Sequence, residues 1–437
     1  MKSWTAKEQK HKVALIAGVR TPFAKAGTDL KECSAVHLGV TAVREVMARS
    51  GLSPAVIDEV VFGNAGTPVD AANISRVIAL RAGLPQGTPA YTVHRNCASA
   101  MEAVAQGCIK IACGMAETML VGGTESMSNM PLIYSEEMKE LFATLNYAKN
   151  PIDKVKKASE FRPQWLKPVV AIMEGLSDPI SGLNMGQTAE LLARDFKISR
   201  TEQDAFALRS HRLTVEAKKA GRFDEEVFPV IDESDFSSCV KDDVGPRDGQ
   251  STEALGRLKP FFDRENGTVT PGNACPITDG AVALILMNEA KARAEGHKVF
   301  CTIPAFAFTG CEPKRMGMGP VVSSARVMED TGLALTDFQV VELNEAFAAQ
   351  VIANIRAFGS KSYCSEHLGK GQELGELNES ILNVNGGAIA LGHPVGATGA
   401  RLILTAALEM NRKNYNRGLA TLCIGGGQGA AFVLERN

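Results

Sequence analysis

Two residues near the C-terminus are presented in a way that suits chemistry, because His393 and Cys423 each lie in a glycine-rich turn. The histidine belongs to Gly-Gly-Ala-Ile-Ala-Leu-Gly-His-Pro-Val-Gly-Ala-Thr-Gly (386–399), and the cysteine opens Cys-Ile-Gly-Gly-Gly-Gln-Gly (423–429). Glycine adopts positive φ and lets the backbone approach a reacting atom closely. An imidazole and a thiol held in such turns can transfer protons and form a thiolate. The sequence therefore predicts acid–base or thiol chemistry.

A further cysteine, Cys97, follows a predicted strand at 90–94 and precedes a predicted helix. Apolar residues at helical spacing from Met101 to Ala112 indicate that helix. Unpaired N–H groups at a helix N-terminus lower the pKa of a nearby thiol and favour the thiolate. An isolated cysteine is more often a buried core residue, but the strand–cysteine–helix context favours a nucleophile.

Each of the other candidates has an alternative interpretation. The glycines around His393 can form a phosphate-binding loop, but they lack the Lys-Ser/Thr of a P-loop and the Gly-x-Gly-x-x-Gly of a dinucleotide fold. The turn after Cys423 can hold an oxyanion on its N–H groups, or Cys423 can be a core thiol at a strand end. Asn344 ends a predicted strand, where it can position a water or cap the following helix.

The composition is typical of a compact α/β enzyme. The 437 residues include 45% apolar residues and 41 glycines, and with a formal net charge of −2 nothing indicates nucleic-acid binding. The ten cysteines form no Cys-x-x-Cys pair, which argues against zinc and for reduced thiols. No stretch is apolar enough to span a membrane, and residues 1–12 lack the apolar core of a signal peptide. We therefore expect a cytoplasmic protein without a metal site.

The chain contains an internal repeat. Residues 51–65 (GLSPAVIDEVVFGNA) and 332–346 (GLALTDFQVVELNEA) both read as Gly-Leu, a short capped helix and an apolar strand that ends near Asn. Strands alternating with helices around both copies predict parallel sheets that are covered on both faces. The sequence therefore predicts two similar α/β halves, at roughly 1–125 and 295–437.

The segment between the halves has a different character. Residues 126–222 read as an inserted loop domain, and the first half is expected to continue at about 223–290. A basic amphipathic part lies at 149–167, and Ser199 with Glu202 forms a capping box that predicts a helix. Because inserted loops often carry function, we expect this domain to cover the active site.

In open α/β sheets, function gathers at the carboxyl ends of the strands. The candidates at or just after predicted strand ends are Cys97, Asn344, His393 and Cys423. These ends can converge if the two halves pack about a pseudo-twofold axis, although spacing alone does not establish this.

Several segments of the chain resemble those of the thiolase family. They are Val-His-Arg-Asn-Cys-Ala-Ser-Ala-Met-Glu-Ala (93–103), Gly-Gly-Thr-Glu-Ser-Met (122–127), Asn-Glu-Ala-Phe (344–347), the Gly-His-Pro turn (386–399) and Cys-x-Gly-Gly-Gly-x-Gly (423–429). The resemblance implies an α/β fold with a five-layered α-β-α-β-α core. That core consists of two duplicated βαβαβαββ halves with an inserted loop domain, in agreement with the internal repeat.

The same resemblance implies a role for each candidate residue. Cys97 takes the acyl group as a thioester. His393 activates Cys97 and stabilises charge on the thioester oxygen, with a water held by Asn344. Cys423 is the second acid/base and moves a proton to or from the α-carbon of acetyl-CoA. Backbone N–H groups of Cys97 and Gly425 form the other oxyanion hole, so neither a metal nor a redox cofactor is needed and coenzyme A is a substrate.

The resemblance also implies residues that bind CoA, in the loop domain and in an extension of it to about residue 260. Met185 matches a methionine that lines the acyl pocket, and Arg247 matches an arginine near the adenine. A core methionine and a solvated arginine are the alternatives. Two positions of the pantetheine or acyl pocket depart from the family's common pattern, since Asn184 stands where many members have His and Cys275 where many have Ser.

The expected substrate and partners follow from the same resemblance. The loop at 131–182 is longer than in short-chain acetoacetyl-CoA thiolases and resembles the β-subunit of fatty-acid oxidation complexes, although Asn344 differs from the His common there. We expect a degradative 3-ketoacyl-CoA thiolase of β-oxidation. The alternatives are an acetyl-CoA C-acetyltransferase and, more remotely, a non-catalytic acyl-CoA-binding scaffold subunit. A homodimer or homotetramer is expected, and contact of 149–167 with a hydratase/dehydrogenase partner subunit or a membrane is an open alternative.

Overall fold

A computed structural model describes residues 2–6, 10–231 and 238–436 of the chain. The backbone forms two compact units. The larger, called the core unit here, takes in the chain up to Asn129 and from Asp178 onwards. The smaller, called the loop unit, is Met130–Ser177.

The first part of the core unit forms a mostly buried sheet. Its strands are β1 (Val13–Arg20), β2 (Glu59–Gly63), β3 (Ala90–Val93), β4 (Thr118–Glu125) and β5 (Thr278–Asn288). They lie in the order β3-β2-β4-β5-β1, with parallel pairing from β3 to β4 and antiparallel pairing beyond. Every residue of β1, β4 and β5 is buried, as expected for strands covered on both faces.

The second part repeats this arrangement. Its strands are β6 (Cys301–Gly310), β7 (Val340–Leu343), β8 (Arg417–Ile424) and β9 (Gln428–Glu435). Their order is β7-β8-β9-β6, and Leu382 bridges to Val341 where the copy of β3 would pair. Both parts therefore have the same strand order. Antiparallel pairing of β6 with β1 joins them edge to edge.

Helices cover the sheets on both sides. The longer ones are α1 (Ala35–Ser50), α2 (Ile74–Arg81), α3 (Ser99–Ala112), α4 (Met185–Asp195), α5 (Arg200–Lys219), α6 (Gly319–Thr331), α7 (Ala348–Phe358), α8 (Lys361–Leu368) and α9 (Thr398–Lys413). Helices α3 and α9 share one apolar core with both sheets, whereas α1 and α2 pack on the first sheet alone and α6 and α7 on the second. This stack of helix, sheet, helix, sheet and helix confirms the predicted fold class.

Shorter elements connect the main ones. They are helices at Thr252–Gly256, Glu289–Ala294 and Ala388–Leu391, 3-10 turns at Pro54–Val56, Met127–Asn129, Pro313–Met318 and Leu335–Asp337, and strands at Trp4–Thr5, Ala24–Lys25, Val230–Ile231 and Cys239–Val240. The predicted capping box of α5 is present, because Ser199 accepts from the N–H of Glu202 and the Glu202 carboxylate accepts from the N–H of Ser199.

The loop unit contains helices at Glu136–Tyr147, Pro151–Ala158 and Ala171–Gly175, a 3-10 turn at Pro163–Leu166 and an antiparallel pair of Leu132–Ile133 with Val169–Val170. Ile152 and Val155 are 80% and 71% exposed on Pro151–Ala158. No helix among the described residues combines the length and apolarity needed to cross a membrane. The domain boundaries predicted from the sequence stay a prediction.

One glycine brings a helix N-terminus close to the first sheet. A Cβ on Gly63, the last residue of β2, would collide with the backbone of Ser99 and Ala100 and would lie 2.6 Å from the Ser99 carbonyl oxygen. Only a residue without a side chain allows this approach. The start of α3, two residues after Cys97, therefore lies directly on the end of β2.

We expect Gly63→Ala to lower the free energy of unfolding by about 2 kcal/mol, because the backbone must shift to admit the methyl group. Gly87→Ala is the matched control, since a Cβ there meets no atom within 4 Å. Urea unfolding followed by circular dichroism measures both. Equal midpoints for the two variants would contradict the close approach.

Candidate active site

Cys97 lies in a tight turn between β3 and α3. Its neighbour Asn96 has φ of 44°, in the left-handed region. The Asn96 side-chain amide donates a hydrogen bond of 2.8 Å to the carbonyl oxygen of Gly425. This bond links the Cys97 turn to the glycine turn between β8 and β9, so the structure brings together two segments that are more than three hundred residues apart.

The charge state of Cys97 is set by opposing effects. Burial raises the pKa of the Cys97 thiol, the N–H groups of Gly425 and of Cys97 itself lower it, and the Glu125 carboxylate raises it. The net pKa lies above the ordinary value, so the expectation of a lowered pKa is wrong. Desolvation outweighs the favourable helix end, and the resting thiol needs a base to become a nucleophile.

His393 has the geometry of such a base. Its Nδ1 lies 2.7 Å from the hydroxyl oxygen of Thr398, and that hydroxyl donates its own proton to the carbonyl of Pro394. Thr398 must therefore accept from Nδ1–H, and this network assigns the tautomer in which Nε2 has a free lone pair. Nε2 is buried and has no hydrogen-bond partner among the described residues.

The His393 imidazole is strongly biased towards the neutral form. Burial, with a smaller contribution from the charge of Arg401, lowers its pKa to about 3. Arg401 itself is buried in an ion pair with Glu342. A neutral imidazole with an open Nε2 can accept a proton from a thiol and then donate it as an N–H.

Asn344 follows β7 and is fully buried. Its backbone N–H donates to the carbonyl of Thr421, but neither amide atom of its side chain has a partner among the described residues. Buried amides are nearly always hydrogen-bonded, so this one is available to a water or a ligand. The adjacent Glu345 is held by Ser210 and Asn383 and fixes the turn that carries Asn344.

Cys423 is buried at the end of β8, paired across the hairpin with Gly429. Burial raises the pKa of its thiol well above the ordinary value, and the charges of Cys97 and Cys275 would raise it further. In the turn that follows, Gly426 and Gly427 have φ of 88° and 81°. The strand end therefore presents a protonated thiol beside a turn in which the N–H of Gly425 is directed at Cys97.

Two predicted pocket residues lie next to this cluster. A Cβ on Gly425 would lie 3.3 Å from the Sδ atom of Met185, the first residue of α4. Burial and the charge of Cys97 raise the pKa of the Cys275 thiol to about 12, and the N–H of Cys275 donates to Ala346. Asn184 has a structural use, because its side chain caps α4 in a capping box.

Arg247 lies on a basic surface cavity of about 580 Å³. Four cationic side chains line it, those of Arg209, Arg212, Lys219 and Arg247, together with the carboxylates of Glu216 and Asp248, which pair with Arg212 and Lys219. Each described contact of Arg247 is made away from the cysteine cluster. The backbone N–H of Arg247 donates to Nδ1 of His211. Burial of His211, together with the charge of Arg247, lowers the pKa of that histidine to about 4.

Sequence reasoning missed the groups that hold the reactive ones. Thr398 fixes the His393 tautomer, Glu345 fixes the Asn344 turn, and Glu125 is a buried carboxylate at the end of β4. The available signal was an acidic residue inside an apolar segment, as in Thr-Met-Leu-Val-Gly-Gly-Thr-Glu (118–125). Buried carboxylates are rare unless they are paired or hydrogen-bonded.

Comparisons with known proteins find family models and relatives that cover nearly the whole chain. The model for "Thiolase, N-terminal domain" matches residues 13–290, and that for "Thiolase, C-terminal domain" matches 297–436. The chain is 38% identical to the 3-ketoacyl-CoA thiolase of Pseudoalteromonas translucida over 97% of both chains. It is also 38% identical to the 3-ketoacyl-CoA thiolase of Yersinia enterocolitica over 98% of this chain and 97% of that one.

Two solved structures are similar throughout. The crystal structure of the Bacillus anthracis acetyl-CoA acetyltransferase superimposes with a TM-score of 0.85 at 34% identity and covers 98% of this chain and 100% of its own. Human mitochondrial 3-ketoacyl-CoA thiolase in complex with CoA has a TM-score of 0.84 at 33% identity and covers 98% of each chain.

We expect Thr398→Val to slow alkylation of Cys97 by iodoacetamide roughly 10-fold, because Nδ1–H loses its acceptor and the base on Nε2 is no longer fixed. Thr405→Val is the matched control on the same helix, where the hydroxyl donates to Glu226 instead. Mass spectrometry of the Cys97 peptide gives both rates. An unchanged rate for Thr398→Val would refute the assigned tautomer.

Proposed function

Because the chain belongs to the thiolase family of acyltransferases, we propose that it is a 3-ketoacyl-CoA thiolase. It cleaves 3-ketoacyl-CoA with CoA and yields acetyl-CoA and an acyl-CoA shortened by two carbons. The observation that carries this proposal is the grouping of Cys97, Cys275 and Cys423. His393, whose Nε2 has no partner among the described residues, forms a β-bridge with Ile277, two residues after Cys275. The names of the relatives in two bacteria and of the human neighbour support the substrate class.

In the first step, Nε2 of His393 takes the proton of the Cys97 thiol. The thiolate attacks the 3-keto carbon of the substrate, and the oxyanion is stabilised by the N–H groups of Cys97 and Gly425, which already lower the pKa of the Cys97 thiol. The bond between C2 and C3 then breaks and leaves the acyl group on Cys97 as a thioester.

The electron pair of the broken bond passes to C2 of the departing acetyl-CoA. Its thioester oxygen, as an enolate, accepts from His393 Nε2–H and from a water held by Asn344, the two buried groups without described partners. Cys423 gives its proton to C2. The thiolate of Cys423 then takes the thiol proton of the incoming CoA, which attacks the Cys97 thioester. The Cys97 thiolate leaves and takes its proton back from Nε2–H of His393, and the shortened acyl-CoA is released.

The basic cavity at Arg247 is proposed as the site of the nucleotide end of CoA. Its four cations outnumber its two carboxylates, and this excess of positive charge suits the phosphate groups of that ligand. Met185, beside Gly425, is proposed to contact the pantetheine or acyl end, with Cys275 next to it. The human neighbour, solved in complex with CoA, supports CoA as the ligand.

Further parts of the function are proposals of the same kind. The enzyme is proposed to be cytoplasmic, to act in fatty-acid β-oxidation and to form a homodimer or homotetramer. The exposed apolar residues Ile152 and Val155, with lysines in the same helix, support contact of 149–167 with a partner subunit or a membrane. Synthesis of acetoacetyl-CoA is the second candidate, favoured by the similarity to the Bacillus anthracis acetyl-CoA acetyltransferase.

We expect Cys97→Ser to abolish the acyl-enzyme that mass spectrometry detects after incubation with acetoacetyl-CoA, because the thiolate nucleophile is lost. Cys113→Ser, at an exposed cysteine, should leave it intact. An acyl group on another residue would refute the assignment of Cys97 as the nucleophile.

A substrate series tests the activity. Thiolysis of long-chain 3-ketoacyl-CoA favours degradation, and turnover of acetoacetyl-CoA alone favours the second candidate. No turnover at any chain length refutes both.

We expect Cys423→Ala to slow exchange of the α-protons of acetyl-CoA with deuterated water about 100-fold while Cys97 is still acylated, because the second acid/base is missing. Cys364→Ala, at another buried thiol, is the control. Proton NMR follows the exchange. Exchange at the wild-type rate would remove Cys423 from the mechanism.

A further inference from the structure

One buried carboxylate receives hydrogen bonds from two separate loops. Glu125, at the end of β4, is 1% exposed. Its Oε1 accepts from the N–H of Gly66 at 2.9 Å and from the amide of Asn64 at 3.1 Å. Its Oε2 accepts from the N–H groups of Ala65 and Gly396, both at 2.9 Å. With these four described donors, both oxygens are fully used.

The Gly396 bond reaches the loop of the catalytic histidine. Gly396 lies three residues after His393, and a Cβ at this position would be 2.7 Å from Oε2 of Glu125. A Cβ on Gly123 of β4 would collide with the carbonyl oxygen of Gly396. The His393 loop therefore lies directly against the end of β4, and Glu125 is the side chain that bonds to it there.

The bonds to residues 64–66 reach the turn of the nucleophile. The N–H of Asn64 donates to the carbonyl of Val93 at the end of β3. The carbonyl of Ala65 contacts Nε2 of His94 at 3.2 Å, three residues before Cys97. The negative charge of Glu125 also acts on Cys97 directly, because it raises the pKa of that thiol.

We propose that Glu125 is a positioning residue, whose carboxylate sets the spacing between the Cys97 turn and the His393 loop. The effect on turnover rests on the proposed thiolase function, whereas the effect on Cys97 reactivity does not. Proton transfer between two groups depends steeply on their spacing, and a displacement of about 1 Å can cost about 100-fold in rate.

The contacts require an ionised carboxylate. Protonation converts one oxygen into a donor that faces the N–H donors already present. Burial raises the pKa of Glu125 to about 7, the N–H groups of Ala65, Gly66 and Gly396 oppose this shift, and Asp279 at the start of β5 adds to it. Other titratable or charged groups on the elements packed here are His94, Arg95 and Cys97 before α3, Glu102 on α3, which pairs with Arg95, and His393.

The two consequences of this titration have opposite signs. Between the ordinary carboxyl pKa of 4.5 and about 7, the folded protein binds more protons than the unfolded chain, so the stability contributed by Glu125 falls as the pH rises. Positioning requires the ionised form, so turnover rises over the same window. A carboxylate that contributed only to stability would not make turnover rise with pH while stability falls.

We expect Glu125→Gln to lower kcat about 10- to 100-fold with KM within twofold, and to remove the acid limb of the kcat profile near pH 7. It should also move the midpoint of Cys97 alkylation by iodoacetamide to lower pH, because a negative charge is removed. Glu125→Asp keeps the charge but shortens the reach. It should lose kcat, keep the acid limb and leave the alkylation midpoint unchanged.

Asp58→Asn is the matched control, since Asp58 accepts from the N–H groups of Glu117 and Thr118 at the opposite end of β4. Its kinetics should be those of the wild type. An unshifted alkylation midpoint in Glu125→Gln overturns the proposal, as does a kcat loss explained entirely by unfolded protein. If Glu125→Gln fails to fold, an unchanged kcat in Glu125→Asp overturns it. If the wild type turns over no 3-ketoacyl-CoA, the proposed function fails. The role of Glu125 is then decided by whether the alkylation midpoint of Cys97 shifts in Glu125→Gln.

Discussion

Desolvation keeps the reacting groups of this site neutral until they act on one another. Burial raises the thiol pKa values of Cys97 and Cys423 and lowers the pKa of the His393 imidazole. None of these groups readily ionises alone. A proton passed from the Cys97 thiol to the His393 imidazole creates a thiolate and an imidazolium at once, and these two charges stabilise each other. The proposed mechanism depends on that pairing, and the pairing depends on holding residues from distant parts of the chain at one place.

The duplicated fold supplies that place. The first half contributes Cys97 from the turn after β3, and the second half contributes Asn344, His393 and Cys423 from strand ends or the loops that follow. Glycines at the contact between the halves let backbone lie on backbone, as between Gly123 and the carbonyl of Gly396. Hydrogen bonds then lock the halves together, from Asn96 to the glycine turn of the hairpin.

Sequence reasoning reached the elements whose signal is local. The repeat of strand and helix gave the duplicated fold, and glycine density gave His393 and Cys423. It could not reach Thr398 as the acceptor that fixes the His393 tautomer, or Glu125 as the acceptor for two loops, because those roles depend on partners distant in the chain or on side-chain orientation. It also mistook the direction of the Cys97 pKa, since local position predicts the helix end but not the burial that outweighs it.

The unpartnered groups show why so much of the structure is devoted to positioning. Neither the side-chain amide of Asn344 nor Nε2 of His393 bonds to another described protein group. Buried polar groups need hydrogen-bond partners, so both are suited to receive a water or an oxyanion. Glu345 and Thr398 hold the two groups in place. Because groups held in this way need no reorganisation, they can stabilise negative charge at the step where it develops.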